Sequence, residues 1–269
     1  MSLYLLFDVG NTRLKWAAVE STQKPSERQK KLWAYSGSIN TKSLSSPELR
    51  AELSDYIAKT LPKPDAIGFS CVAGQGAIEN LKSLFPQWSD IEWKEITGAS
   101  TFQGMRTLYQ DPSKLGSDRW AAVIGARALS SVNTLVVNAG TATTIDLLGA
   151  NGVHYGGWIL PGITLMAQTL SSNTANLPNV EKIESLSTLK PALTTDEGIE
   201  QGIFACQVGA ISIAEQYAKN NNIQIDLVVL TGGNANLIGA HLEKQSCVVT
   251  EPQLALKGLL AWHLLNYPS

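Results

Sequence analysis

The 269-residue sequence is poor in the residues that build metal centres and disulfide frameworks. Its three cysteines, Cys71, Cys206 and Cys247, form no CxxC pair, and its three histidines, His154, His241 and His263, are equally scattered. That spacing argues against a zinc motif or a disulfide scaffold. Each cysteine is expected to act as a small buried hydrophobe in a reducing compartment. Excess charge is also lacking: 21 Lys and Arg against 23 Asp and Glu leave a formal charge of −2. Without a basic excess the chain has no electrostatic footprint for nucleic acid or anionic membrane. No apolar run approaches the ~18 residues that a membrane-spanning helix needs. The opening "MSLYLLF" has no basic n-region and its apolar run is interrupted by Asp8, unlike a secretory signal. A cytoplasmic protein is expected, with small molecules or another protein as partners.

What is present is a hydrophobic fraction of 44%, ample for real cores, and a length suited to two domains. Leu3–Phe7 is predicted as a buried strand. Arg13–Val19 follows as a second strand, because Leu14, Trp16 and Ala18 alternate with Arg13, Lys15 and Ala17. Gly10-Asn11 between them predicts a tight hairpin. The polar stretch Ser21–Lys31 reads as a mobile hairpin tip, and a third strand is expected over Leu32–Ser38. Helical spacing of Leu53, Ile57 and Leu61 predicts a helix over Leu49–Thr60. A strand over Ala66–Val72 and a helix over Ala77–Phe85 follow, giving a mixed-sheet α/β domain.

The second half restarts the pattern. A helix is predicted over Asp118–Ser130, then strand, turn and strand over Thr134–Leu148, and a strand over His154–Gly162. Helices near Gly162–Leu170, Asp196–Asn220 and Gln253–Leu265 follow, with a strand over Asp226–Gly233 between the last two. "LLFDVGNTRLKW" and "LVVNAGTATTID" share a scheme: an apolar run, Asp8 or Asn138, one apolar residue, Gly10 or Gly140, then a second strand. That weak duplication predicts two similar domains facing each other across a cleft.

In Asp8–Thr12 the backbone amides of a glycine turn, with Asn11 and Thr12 side chains, form a possible phosphate wrap, and Asp8 a possible Mg²⁺ ligand. The plain alternative is a hairpin in which Asp and Asn only bond the turn. The second copy, Asn138–Thr143, favours the phosphate reading, since one phosphate chain fits between two such turns. Gly116-Ser117-Asp118-Arg119 opens a long helix, with Ser117 or Asp118 able to cap it. Arg119 stands at the positive end of that helix, where a cation is disfavoured. A bound anion, such as a substrate carboxylate, accounts for it better. Asp118 then becomes a candidate base for a substrate hydroxyl. Thr231–Asn234, "TGGN", is either a helix-entry turn or a close approach to adenine or ribose. Gly156-Gly157 and Pro161-Gly162 serve chain reversal and close packing, and the seven tryptophans show no regular spacing.

The order DVGNT, Y-x-DP-x-x-LG-x-DR, AGTATTID, TT-x-x-G-I-x-x-G and TGGN resembles the type III pantothenate kinases over nearly the whole chain. The resemblance implies an α/β fold of the acetate kinase, sugar kinase, Hsp70 and actin superfamily. Two ribonuclease-H-like (actin-like ATPase) domains with mixed sheets, residues 1–115 and 116–269, would lie around a central ATP cleft. It implies ATP-dependent phosphorylation of pantothenate, the first step towards coenzyme A, in a homodimer. Asp8, Val9, Gly10, Asn11, Thr12, Arg13, Leu14 and Lys15 match the family's ATP phosphate segment, and Thr141 an ATP contact in the second turn. Asp118 falls on the catalytic base. Gly116, Ser117, Asp118 and Arg119 fall on a pantothenate-binding segment, with Tyr109 and Thr195 as further acceptor contacts. Mg²⁺ is implied near Asp8. A monovalent cation, K⁺ or NH₄⁺, is implied at the second turn, where the family carries Asp. Asn138 keeps an amide oxygen there but not the charge. Two alternatives stay open: a kinase of the same superfamily acting on another small alcohol, and a non-catalytic transcription accessory factor.

Overall fold

The computed structural model describes residues 2–20, 32–175, 177–178, 180, 183, 188–242 and 247–267. The predicted hairpin tip Ser21–Lys31 lies outside the described residues. The chain divides into two compact units. One comprises Met1–Phe102, Asp111–Gly125 and Ala255–Ser269; the other comprises Gln103–Gln110 and Ala126–Leu254. The helix opened by Ser117 therefore belongs mainly to the first unit, whereas the sequence division at 115/116 assigns it to the second.

The first unit carries β1 (Leu3–Val9), β2 (Arg13–Glu20), β3 (Tyr35–Asn40), α1 (Pro47–Thr60), β4 (Ala66–Cys71), α2 (Gln75–Ser83) and β5 (Trp93–Glu95). Its sheet runs β3-β2-β1-β4-β5. β1 is central, and all seven of its residues are buried, as a continuous apolar run predicts for a strand covered on both faces. Leu5, Phe7, Val9, Leu14 and Trp16 join Leu53 and Ile57 of α1 in one core. Ser46 caps α1 by accepting the Leu49 N–H, and Pro47 supplies the first turn. The third strand begins at Tyr35 and not at Leu32, because its pairing with β2 runs from Tyr35 opposite Ala18 to Asn40 opposite Arg13. β5, a three-residue strand, has too little pattern to be read from sequence.

The second unit carries β6 (Arg106–Thr107), β7 (Thr134–Ala139), β8 (Ala142–Leu148), β9 (Val153–Pro161), α4 (Ile163–Asn173), α5 (Thr195–Asn220), β10 (Leu227–Thr231), α6 (Ala235–Gly239) and β11 (Cys247–Thr250). Helix α3 (Ser117–Leu129) spans the boundary between the units, and α7 (Leu254–Asn266) returns to the first. The second sheet runs β11-β10-β7-β8-β9-β6. Without β6 its strand order repeats that of the first sheet: third, second, first, fourth, fifth. The directions repeat as well. β1–β2–β3 and β7–β8–β9 are antiparallel, while β1–β4–β5 and β7–β10–β11 are parallel. The duplication read from two short motifs is a duplication of topology.

The expectation of three buried cysteines fails. Cys206 and Cys247 are exposed and Cys71 is half-buried. Cys206 lies on α5 between Ile203 and Gln207, which take the buried face, and Cys247 opens the edge strand β11. No helix among the described residues is long and apolar enough to cross a membrane.

Candidate active site

The first turn is built by register. Asp8 sits opposite Lys15 across the β1–β2 hairpin and beside Ser70 in the parallel neighbour β4. Its carboxylate is almost completely buried, at 6% exposure, so it needs partners. Ser70 donates its hydroxyl to Oδ1 at 2.9 Å, and the Lys15 ammonium lies 3.5 Å from Oδ2. The Gly10 N–H donates to the Arg13 oxygen at 3.0 Å, closing the hairpin. Thr41 then braces the turn from outside. Its hydroxyl donates to the Gly10 oxygen at 2.6 Å and its N–H to the Thr12 oxygen at 2.9 Å. Asn11, Thr12 and Arg13 are exposed, whereas Val9 and Leu14 are fully buried. Those two side chains hold the turn in the core and leave its backbone and the Asn11, Thr12 and Arg13 side chains facing outward.

The second element at this sheet edge is the start of α3. The Ser117 hydroxyl donates to the Cys71 oxygen at 3.1 Å and accepts the Cys71 N–H at 3.0 Å. This pair of bonds staples the helix to the last residue of β4. Since Cys71 is also the register partner of Val9, the staple brings Asp118 to the strand edge that carries Asp8. Asp118 is the second helical residue. Its Oδ1 accepts the Arg119 N–H at 2.8 Å and lies over Gly116, where a Cβ would approach it to 2.8 Å. Arg119 is buried at 4% exposure. The N-terminus of a thirteen-residue helix favours an anion here. Burial pushes the Cys71 thiol up, which disfavours its thiolate.

In the second unit the matching turn joins β7 to β8. Asn138 is half-buried, faces Thr144 across the hairpin and has Thr231 as its parallel neighbour. Thr141 is exposed at the tip, and its oxygen accepts the Gly162 N–H at 2.9 Å. A Cβ on Gly162 would lie 2.2 Å from the Gly140 oxygen, so glycine is required by close packing against the turn. "TGGN" joins the same turn. Gly232 has φ of +94°, its absent Cβ would lie 2.4 Å from the Ala139 oxygen, and the Asn234 N–H donates to that oxygen at 3.1 Å. The segment leads into α6, with Asn234 at the position before the helix but making no side-chain capping bond.

Tyr109 and Thr195 lie elsewhere in this unit. Tyr109 is half-buried and stacks on His154, which pairs with Leu148, six residues along β8 from the turn and so about 20 Å away. Thr195 is exposed as the first residue of α5, after the cap Thr194. Sequence reasoning missed Ser70, Thr41, His154 and Asp146. Ser70 is found only once β1 and β4 are paired, and Thr41 only once the chain returns to the turn.

Among the described residues no group of three or more His, Cys, Asp or Glu side chains is placed to hold a metal. A magnesium ion shared with phosphates needs only one or two carboxylates, and Asp8 supplies one. An amide oxygen such as that of Asn138, with main-chain carbonyls, suits a monovalent cation.

The family model described as type III pantothenate kinase matches residues 4–217. The chain is 39% identical over 251 residues to the type III pantothenate kinase of Janthinobacterium sp. (strain Marseille), covering 89% of this chain and 90% of that one. It is 35% identical over 258 residues to that of Azoarcus sp. (strain BH72), covering 96% and 89%. Among solved structures it is similar to a candidate 2-dehydro-3-deoxygalactonokinase from Sinorhizobium meliloti (TM-score 0.62, 14% identity, 99% and 97% covered). A glucokinase from an Antarctic psychrotroph is also similar (TM-score 0.52, 12% identity, 97% and 98% covered). At such identities the structural likeness speaks for the fold alone, the actin-like ATPase fold of sugar kinases.

Proposed function

We infer the following chemistry for a chain that belongs to the type III pantothenate kinase family and is an ATP-dependent pantothenate kinase of coenzyme A biosynthesis. In our reading Asp118 accepts the proton of the primary hydroxyl of pantothenate as its oxygen bonds to the γ-phosphorus and the bond to the β-phosphate oxygen breaks. Arg119 holds the acceptor by a charge-assisted contact, with Tyr109 and Thr195 as further acceptor contacts. The turn Asp8–Lys15 and Thr141 hold the ATP phosphates. Asp8 and Asn138 are the residues that would hold Mg²⁺ and a monovalent cation. Such cations offset charge on the phosphoryl group during transfer. Positioning and charge stabilisation carry most of the rate in phosphoryl transfer.

The observation that carries this reading is the immobilised Asp118 carboxylate, fixed by the Arg119 amide and stapled through Ser117 to the strand edge of Asp8. A helix cap alone does not call for a glycine notch beneath the carboxylate. The test is ADP release measured with pantothenate, without it, and with a pantothenate analogue lacking the primary hydroxyl. Release that is equal in all three would refute the assignment.

We further propose a cytoplasmic homodimer. Of the apolar α5 residues, Ile199, Ile203 and Ile211 belong to the core, but Ile213 and Tyr217 are 64% and 48% exposed. Trp158 meets Tyr217 edge-on at 5.7 Å, and its neighbour Ile159 is 65% exposed. Ile213 and Tyr217, one helical turn apart, and Trp158 against Tyr217 make an exposed apolar patch, the kind of surface that marks an interaction site.

A further inference from the structure

The sixth strand of the second sheet is too short to hold itself. β6 has two residues; the Arg106 N–H donates to the Gly152 oxygen just before β9 at 3.2 Å, and the Leu108 N–H just after β6 donates to the His154 oxygen at 2.9 Å. The Leu108 side chain is half-exposed. What fixes the chain beyond it comes from below. The His154 imidazole is fully buried, with Nε2 2.9 Å from Asp146 Oδ1 and Nδ1 2.9 Å from Thr107 Oγ1. Thr107 Oγ1 also accepts the Tyr109 N–H at 3.1 Å. The Tyr109 ring lies nearly parallel to the His154 ring, at 16° and 6.0 Å between centroids.

With a neutral imidazole, one proton arrangement fits these bonds. The Thr107 hydroxyl takes the Tyr109 N–H on a lone pair and gives its own proton to Nδ1. Nε2 then carries the hydrogen that His154 donates to Asp146. Asp146 is as deeply buried as its partner. Buried pairs of this kind stabilise a fold little relative to well-packed apolar residues of similar volume. Their physical use is to select one geometry, and the geometry selected here is that of Tyr109, its main chain through Thr107 and its ring through the stack.

We propose that Asp146, His154 and Thr107 form a positioning relay that holds Tyr109 for the acceptor, so that His154 and Thr107 set pantothenate affinity without touching the substrate. This rests on the assignment of Tyr109 to the acceptor made above. In steady-state assays of the full chain, Thr107→Val removes both hydroxyl bonds at nearly constant volume. It raises KM for pantothenate about five- to tenfold, the equivalent of roughly one net hydrogen bond. KM for ATP stays within about twofold, and Thr107→Ser, which keeps the hydroxyl, stays within about twofold for both substrates. Amide exchange over residues 106–110 accelerates in the Val variant and not in the Ser variant. His154→Phe repeats the Val phenotype; if that variant does not fold, the Thr107 pair decides alone.

An unchanged KM for pantothenate in Thr107→Val, an equal rise in both KM values, or a Ser variant as impaired as the Val variant overturns the relay. Wild-type enzyme that releases no ADP with pantothenate refutes the functional reading instead, before any substitution is made. The amide exchange then still decides whether Thr107 holds Tyr109.

Discussion

Gly116→Ala tests whether the position of Asp118, and not merely its presence, sets the rate. The added Cβ would lie 2.8 Å from Asp118 Oδ1, while its next neighbours, Arg119 Cδ and Val72 Cγ1, stay at an ordinary 3.8 Å. Only the carboxylate must give way. Reaching van der Waals contact requires it to move by about 0.6 Å, and the same oxygen is bound to the Arg119 N–H at 2.8 Å. A misplacement of about 1 Å can cost about 10²-fold in rate, so this shift should lower kcat roughly tenfold, about 1.4 kcal/mol of barrier. Stability should change little, because Ala is a poorer residue than Gly before a helix but also restricts the unfolded chain, each by less than about 1 kcal/mol. Pantothenate-dependent ADP release at saturating substrates gives kcat, and calorimetry gives Tm. The reasoning predicts the tenfold loss with Tm within about 4 °C and an unchanged KM for ATP. A kcat within about twofold of wild type would show that the notch does not aim the carboxylate.

Asp118→Asn keeps the acceptor oxygen for the Arg119 amide but cannot take a proton; turnover should fall by at least about 10²-fold with Tm nearly unchanged, and retention of more than about a tenth would leave Asp118 a positioning residue. Asn138→Asp should lower the potassium concentration giving half-maximal activity, since charge–charge attraction replaces charge–dipole attraction; an unchanged value removes Asn138 from the cation site. Light scattering should report about twice the 28.9 kDa of one chain, and a fully active monomer would sink the dimer proposal. Burial, and secondarily Lys94, hold the His263 pKa below its ordinary 6.5, and neither ring nitrogen has a hydrogen-bond partner. The unfolded state therefore binds the proton more readily, and stability should be lost as pH falls below about 6.5. A His263→Phe variant whose stability declines between pH 7 and 5 as steeply as wild type would refute that assignment.

The legible parts of this fold were those with period or punctuation. β1, α1, α3 and the β7–β8 hairpin were readable because an uninterrupted apolar run, a helical stripe or a glycine turn fixed each locally. β5, β6, α6 and β11 have two to five residues, too few for any period to register. The glycines divide the same way. Gly10 was readable as a turn, but the need for Gly116 and Gly162 arises from an Asp118 oxygen and a Gly140 oxygen. Ser70, Thr41 and the Asp146–His154–Thr107 relay act through partners far off in sequence or on neighbouring strands. Pairing supplies them, and pairing is the part of a fold that local chemistry states least.

The two turns show how one backbone scheme carries two electrostatic designs. Asp8 and Asn138 occupy equivalent places, one residue before the end of β1 and of β7. The register that sets Lys15 opposite Asp8 sets Thr144 opposite Asn138. The parallel neighbour carries a hydroxyl in both, Ser70 in one and Thr231 in the other. A buried carboxylate needs a compensating charge, and the first turn has one built in. A carboxylate at position 138 would face a neutral hydroxyl and would have to recruit its cation from solvent. An amide there meets the same hydrogen-bonding demand without that dependence. The neutral residue opposite is thus as informative as Asn138 itself: it makes the charge of the second turn a property of what binds there, whereas that of the first belongs to the fold.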